Sequence, residues 1–151
     1  MKICVDDLIG PEIEAFLEEH LNDMKAISPP ESKHALDLDG LRKQEITFWT
    51  IWDEEVLAGC GALRQLDSYH GEIKSMRTAV SYRGRGVASN MLWHIINEAR
   101  RRHYQRLSLE TGSMEFFSPA IRLYEKHGFQ RGAPFANYKE DPNSCFLTLN
   151  L

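Results

Sequence analysis

The sequence has little cysteine and no pattern in it. Cys4, Cys60 and Cys145 are odd in number and scattered, with no C-x-x-C pair and no histidine at zinc-ligand spacing, which excludes a disulfide framework or thiolate metal cluster as the source of stability. Long apolar runs are missing too. The opening MKICVDDLIG is interrupted by Asp6 and Asp7 before a signal-peptide core or a membrane span can form, so the expectation is a cytoplasmic protein without membrane association. There is no excess of positive charge: Lys plus Arg number 18 against 22 Asp plus Glu, whereas nucleic-acid binders usually carry a net basic footprint. His20, His70, His94, His103 and His127 show no H-E-x-x-H or similar spacing, and no metal is expected. No repeat, low-complexity tract or linker divides the chain. The P-loop pattern G-x-x-x-x-G-K-[ST] and the dinucleotide pattern G-x-G-x-x-G are both absent, which removes two phosphate-binding classes.

What remains is a chain of 151 residues, the length of one domain, 1–151, with a core large enough to need no staple. A first strand is expected at Lys2 to Val5. From Pro11, the residues Ile13, Phe16, Leu17, Leu21 and Met24 fall at helical spacing with glutamates between them, and Pro29 and Pro30 end that helix. A short second helix is expected from about Ala35 to Lys43. Ile46 to Trp52, Val56 to Leu66 and Gly71 to Val80 read as three antiparallel strands, the first two joined by a tight turn at Asp53 and Glu54. Val87, Ala88, Met91, Leu92, Ile95, Ile96 and Ala99 mark a long helix packed on the sheet. A strand from Arg106 to Glu110 follows, then a helix capped by Ser118 with Pro119 in its first turn and ended by Gly128, then a last strand from Ser144 to Asn150. Trp49, Trp52 and Trp93 read as packing residues. The arginine triplet from Arg100 to Arg102 is a solvated helix end. Elements so mixed build one sheet with helices on both faces.

The stretch Arg83-Gly84-Arg85-Gly86-Val87-Ala88 sits between the third of these strands and the long helix. Two glycines let the backbone approach a ligand closely, and the first helical turn offers unpaired N–H groups with the positive end of the helix dipole behind them. Such a turn suits a pyrophosphate, to which Arg83 or Arg85 would add charge. About forty residues on stands Leu123-Tyr124-Glu125-Lys126-His127-Gly128-Phe129.

Together, the Q/R-x-x-G-x-G/A turn and the LYEK-x-GF segment resemble the Gcn5-related N-acetyltransferase superfamily, strongly from Glu72 to Phe129 and by element order elsewhere. The resemblance implies an α+β acyl-CoA N-acyltransferase fold, its mostly antiparallel twisted sheet splayed between the fourth and fifth strands. It implies acetyl-CoA as cosubstrate, with Met76, Arg77 and Thr78 offering backbone groups to pantetheine and one of their N–H groups to the oxyanion. Arg83, Gly84, Arg85, Gly86, Val87 and Ala88 would hold the pyrophosphate. Tyr124 matches the tyrosine that protonates the departing thiolate, a transfer made feasible by thiol and phenol pKa values near 8.5 and 10. Glu72, eleven residues before Arg83, matches the general base of the histone-acetylating branch; it reads equally as a strand carboxylate paired with Lys74 or an arginine. Glu110 is the rival base, and an ordered water is a third route. Where many relatives carry an asparagine three residues before the position of Ala120, this chain has Phe117.

In the same family the acceptor pocket draws on the first two helices and the closing strands, here Glu31, His34 and Tyr138 to Asn143. The expected reaction is direct attack of a primary amine, on a small molecule or peptide, within a ternary complex. A non-catalytic acyl-CoA-binding module and a partner-binding domain with an exposed strand are the rival classes. The closing strands offer a surface for a homodimer.

Overall fold

The computed structural model describes residues 1–29 and 35–151. In chain order its elements are β1 (Lys2–Val5), α1 (Pro11–Ile27), α2 (Leu38–Leu41), β2 (Ile46–Asp53), β3 (Val56–Gln65) and β4 (His70–Thr78). After a 3₁₀ turn at Val80–Tyr82 come α3 (Val87–Arg101) and β5 (Arg106–Gly112); after a second, at Glu115–Phe117, come α4 (Ser118–Lys126), β6 (Gln130–Gly132) and β7 (Ser144–Asn150).

The strands form a seven-stranded sheet in the order β1-β2-β3-β4-β5-β7-β6. Every neighbouring pair is antiparallel except β4 with β5, which is parallel and spans only three rungs, from His70↔Arg106 to Glu72↔Ser108. Beyond Glu72 the two strands separate, while β5 continues against β7 for its full length. This is the expected opening between the fourth and fifth strands.

Strand periodicity places one core on each face. On β2, Trp49 and Ile51 join a cluster with Val87, Met91, Leu92 and Ile95 of α3; Phe48 points the other way, to Ile13, Phe16 and Leu17 of α1. Of the apolar positions that mark α3 in the sequence, Val87, Met91, Leu92, Ile95, Ile96 and Ala99 are buried, and Ala88 is half-buried. Each of the larger ones contributes about 1.5–3 kcal/mol relative to exposure.

Midway along β4 the pairing with β3 slips: Cys60 faces Arg77 and Ala62 faces Lys74, so Ser75 and Met76 together oppose Gly61. Ser75 carries the left-handed φ of 56° that such a bulge demands of one residue. The bulge presses Met76 onto β3. A Cβ at Gly61 would lie 2.8 Å from both Met76 Sδ and Met91 Cγ, so only glycine fits there. Cys60 donates its thiol proton to the Ser75 carbonyl at 3.1 Å, and burial pushes that thiol up to about 12.

Several boundaries differ from the sequence reading. The second helix is a single turn, Leu38–Leu41, capped by Asp37, which accepts from Gly40 N–H at 2.8 Å. Ser118 is the first residue of α4 instead of its cap, because the 3₁₀ turn before it delivers the chain already helical and leaves the cap position to Phe117. Trp49 is core, but Trp93 is 51% exposed, resting edge-on against His127 at 5.9 Å between ring centroids. The short strand β6 is wholly exposed and has no apolar alternation to announce it.

Candidate functional site

The separation of β4 from β5 opens a cavity of about 690 Å³. One wall is the β4 edge from Ile73 to Thr78, another is Leu109 to Gly112 of β5, and the ends are closed by the first turn of α3 and by Pro119, Ala120, Leu123 and Tyr124 of α4. At the β4 edge, Thr78 carries backbone groups that no neighbouring strand pairs. Since Ala79 N–H donates to Ala58 O, the rung Gly59↔Thr78 has its hydrogen bonds on the flanking residues, and Thr78 turns its own N–H and C=O away from β3. No β5 residue pairs with it.

The turn before α3 has the conformation its sequence requires. Gly84 and Gly86 have φ values of 74° and 83°, and no protein atom lies within 4 Å of a Cβ built at either, so the space beside both is open to a ligand. Gly86 caps α3, and the N–H groups of Val87, Ala88 and Ser89 precede the first helical bond, Asn90 N–H to Gly86 O at 3.0 Å. Gly84, Gly86, Val87, Ala88 and Arg83 line the cavity. Arg85 is not part of that lining: its guanidinium lies 4.5 Å over the Tyr82 ring, and Tyr82 donates to Asp53 at 2.8 Å.

Arg77 shares the β4 wall, but its side chain is committed elsewhere. It is 6% exposed and pairs with Glu19 and Asp23 of α1, each at 3.0 Å, with its guanidinium 5.3 Å over the Phe16 ring. The adjacent His20 accepts from Arg77 through Nδ1 at 3.5 Å; burial and the neighbouring positive charge lower it to about 4. This clamp ties α1 to the strand that flanks the cavity.

Tyr124 packs against Phe129 and is 6% exposed, yet it lines the cavity. Burial pushes its phenol well above the usual tyrosine range, and its hydroxyl is therefore protonated at every working pH. Glu110 lines the same cavity and accepts from Ser144 Oγ at 2.7 Å.

Glu72 occupies a different place. It lines a second cavity, of about 1070 Å³, together with Arg64, His70, Lys74, Arg106 and Tyr138. Its side chain is 1% exposed. Oε2 accepts from Tyr138 at 2.6 Å and from Lys74 Nζ at 3.3 Å, and Lys74 also donates to the Tyr138 hydroxyl at 3.0 Å. Oε1 is buried and has no hydrogen-bond partner among the described residues. Burial, together with the Glu72 charge, pushes the Tyr138 phenol up, so Tyr138 is a donor to the carboxylate. Lys74 lines both cavities and marks where they meet. The structure thus gathers Tyr124, Glu110 and the glycine turn in one cavity and Glu72 in the adjoining one. Glu31 and His34 lie outside the described residues. Among the described residues there is no group of His, Cys, Asp and Glu that would hold a metal ion, and no helix is long and apolar enough to cross a membrane.

Sequence reasoning named Tyr138 and Lys74 but not the inward aim of Arg64, the clamp on Arg77 or the hydrogen bond from Cys60. Each of these depends on partners 15 to 58 residues away or on which face a bulged strand presents, and no local pattern carries that information.

Comparison with known proteins bears on the same segment. The family model for the acetyltransferase (GNAT) family matches residues 13–129. The N-acetyltransferase YsnE of Bacillus subtilis is 58% identical over 100% of both chains. Among solved structures, an acyl-CoA N-acyltransferase from Klebsiella pneumoniae superposes with a TM-score of 0.76 at 26% identity, covering 99% of this chain and 97% of that one. A GNAT acetyltransferase from Elizabethkingia anophelis, solved with acetyl-CoA bound, gives 0.67 at 20% identity over 99% and 97%. The matched segment contains the glycine turn, the open strand edge and Tyr124, and the Bacillus relative aligns from end to end: this chain belongs to the GNAT family of acetyltransferases.

Proposed function

We propose that this acetyltransferase takes acetyl-CoA as its donor and transfers the acetyl group directly to a primary amine of a small molecule or peptide. The observation that carries the reading is the single continuous wall from Gly84 and Gly86, through the first turn of α3, to the unpaired β4 edge and Tyr124. A pyrophosphate fits the helix end, where N–H groups and the dipole favour negative charge, and Arg83 adds a charge at the mouth. Pantetheine carries amide groups that suit the Thr78 N–H and C=O. In this placement the thioester arrives near Tyr124, whose proton stabilises the leaving sulfur. The burial that raises the phenol acts equally on a thiolate in the same apolar surroundings, so the two stay close in acidity.

The acceptor enters from the second cavity and meets the thioester beside Lys74. Its ammonium must lose a proton before the nitrogen can attack. Glu72 Oε1 is an unpartnered acceptor in the wall of that path, and Glu110 stands on the donor side; we assign the proton to Glu72. The oxyanion falls on the β4 edge, within reach of its outward N–H groups.

Calorimetric titration with coenzyme A, followed by acetyl-CoA consumption against a panel of amines, tests the reading. Micromolar binding and turnover with at least one amine are expected. Absence of heat at millimolar coenzyme A would overturn it, and binding without any turnover would favour the acyl-CoA-binding module instead.

A further inference from the structure

The second cavity holds charges that the chemistry above does not use, and they are arranged in an informative way. Arg64 of β3 stands directly opposite Glu72 of β4 in the sheet register, so the two side chains rise from the same face with Cβ atoms roughly 5 Å apart. Such neighbours ordinarily form an ion pair. Here they do not: Glu72 spends Oε2 on Tyr138 and Lys74 and leaves Oε1 unpartnered. Half-buried Arg64 makes no ion pair among the described residues, and neither does exposed Arg106 on the same wall. A buried carboxylate oxygen without a hydrogen bond and a guanidinium without an ion pair therefore stand side by side in the wall of one cavity.

The Glu72 charge is matched by Lys74, but a buried acceptor without a hydrogen bond is costly until a ligand completes it. A ligand able to complete both must present a cation to Glu72 Oε1 and an anion to Arg64 a few ångströms away. Resting on the function proposed above, we infer that the acceptor is an α-amino acid or a compact amino acid derivative with a free carboxylate, its ammonium on Glu72 and its carboxylate on Arg64, with Arg106 as the outer cation. The adjacency of the two strands selects an α-amine over a distant ω-amine, because both charges must fit within one cross-strand spacing. Arginine's planar fork suits a carboxylate in a bidentate pair. The remaining wall charges, Glu45, Asp67, Lys139, Glu140 and Asp141, are of mixed sign. All but Asp141 are exposed at the rim, where screening weakens them. His70, buried and held neutral by burial and by the nearby Arg106 charge, bonds to Ser108 at 2.6 Å and adds no charge. Leu36, Leu66 and Ala136 on the same wall give the amino acid side chain an apolar neighbour.

The test measures kcat/KM for a set of L-amino acids, their carboxamides, the corresponding decarboxylated amines and a polyamine, on the native protein and on Arg64→Met. A preference of roughly a hundredfold for at least one free acid over its amide is expected, as for a lost charge-assisted pair. In Arg64→Met that preference falls to about tenfold or less, through KM with kcat retained, and Arg64→Lys restores part of it. The melting temperature of Arg64→Met should match the native value, since Arg64 supports no other group. Amides, simple amines or the polyamine turned over as well as free acids would overturn the inference and leave the transferase reading intact. Failure to acetylate any compound in the set would overturn both.

Discussion

Removing one oxygen atom from Tyr124 separates a catalytic role from a structural one, because the first lowers the rate and the second lowers stability. The ring of Tyr124 is core, packed on Phe129, and phenylalanine preserves it. The hydroxyl lies at the cavity wall, and burial alone raises its pKa, with no hydrogen bond from the protein contributing. The hydroxyl opens on the cavity and is not a buried group left without a partner, so its removal changes the stability of the free protein little. Tyr124→Phe should therefore keep the free protein within about 1 kcal/mol of native stability, a shift of no more than roughly 4 °C in melting temperature for a domain of this size. If the same hydroxyl protonates the leaving sulfur, kcat falls by about 10²–10⁴, equivalent to roughly 2.7–5.5 kcal/mol of transition-state stabilisation. Coenzyme A affinity should change by less than about threefold, under 1 kcal/mol. Thermal unfolding, calorimetry with coenzyme A and initial rates on the same preparation give all three numbers. A kcat within about threefold of native would refute the role, as would a drop in stability large enough to account for the lost rate.

Arg83 and Arg85, two residues apart, should behave differently. Arg83→Ala should weaken coenzyme A binding about five- to tenfold with salt-dependent affinity and unchanged stability. Arg85→Ala should leave binding within about twofold and lower stability by about 0.5–1 kcal/mol, the loss of its stacking on Tyr82; calorimetry and urea unfolding read the two effects. The third prediction concerns acid. His20 is held at about 4 in the folded chain against 6.5 unfolded, so the unfolded chain binds the extra proton between those values. Its contribution is complete above about pH 6.5 and is lost as pH falls toward 4, up to roughly 3 kcal/mol. Urea unfolding from pH 7.5 to 4.5 should show that slope in the native protein and a shallower one in His20→Gln, which keeps an acceptor for Arg77; identical slopes would contradict the assignment.

What could be read from the sequence followed from periodicity and from backbone demands that leave few residue choices. Every apolar position that marked α3 except Ala88 is buried, because a helix against a sheet has only one way to hide a stripe. Gly84 and Gly86 announce their turn because both adopt positive φ, which side chains resist. β6 escaped because a three-residue edge strand of Gln130, Arg131 and Gly132 needs no apolar face. The cap at Ser118 was misplaced because a 3₁₀ turn and a helix share residues that local preference cannot divide. The position of Arg77 was invisible for a different reason. Strand alternation predicts side-chain direction only while the register is unbroken, and one extra residue at Ser75 and Met76 reverses it for everything that follows.

That reversal organises the site. Before the bulge, Glu72 and Lys74 project into the second cavity with Tyr138; after it, Arg77 projects onto α1, and Thr78 presents its backbone to the gap. A regular β4 would keep pairing with β3 in an unbroken register, and the donor edge and acceptor wall could not both be served by nine consecutive residues. The bulge is held on three sides: by Gly61, where no Cβ fits, by the Cys60 thiol on the Ser75 carbonyl, and by the Arg77 clamp beyond it. Each of these holds the backbone without touching either cavity's ligand chemistry directly. On the function proposed above, two substrates approach one opening from adjoining cavities that meet at Lys74, so the geometry of transfer would lie in the register of a single strand and acceptor choice in the side chains of the second cavity.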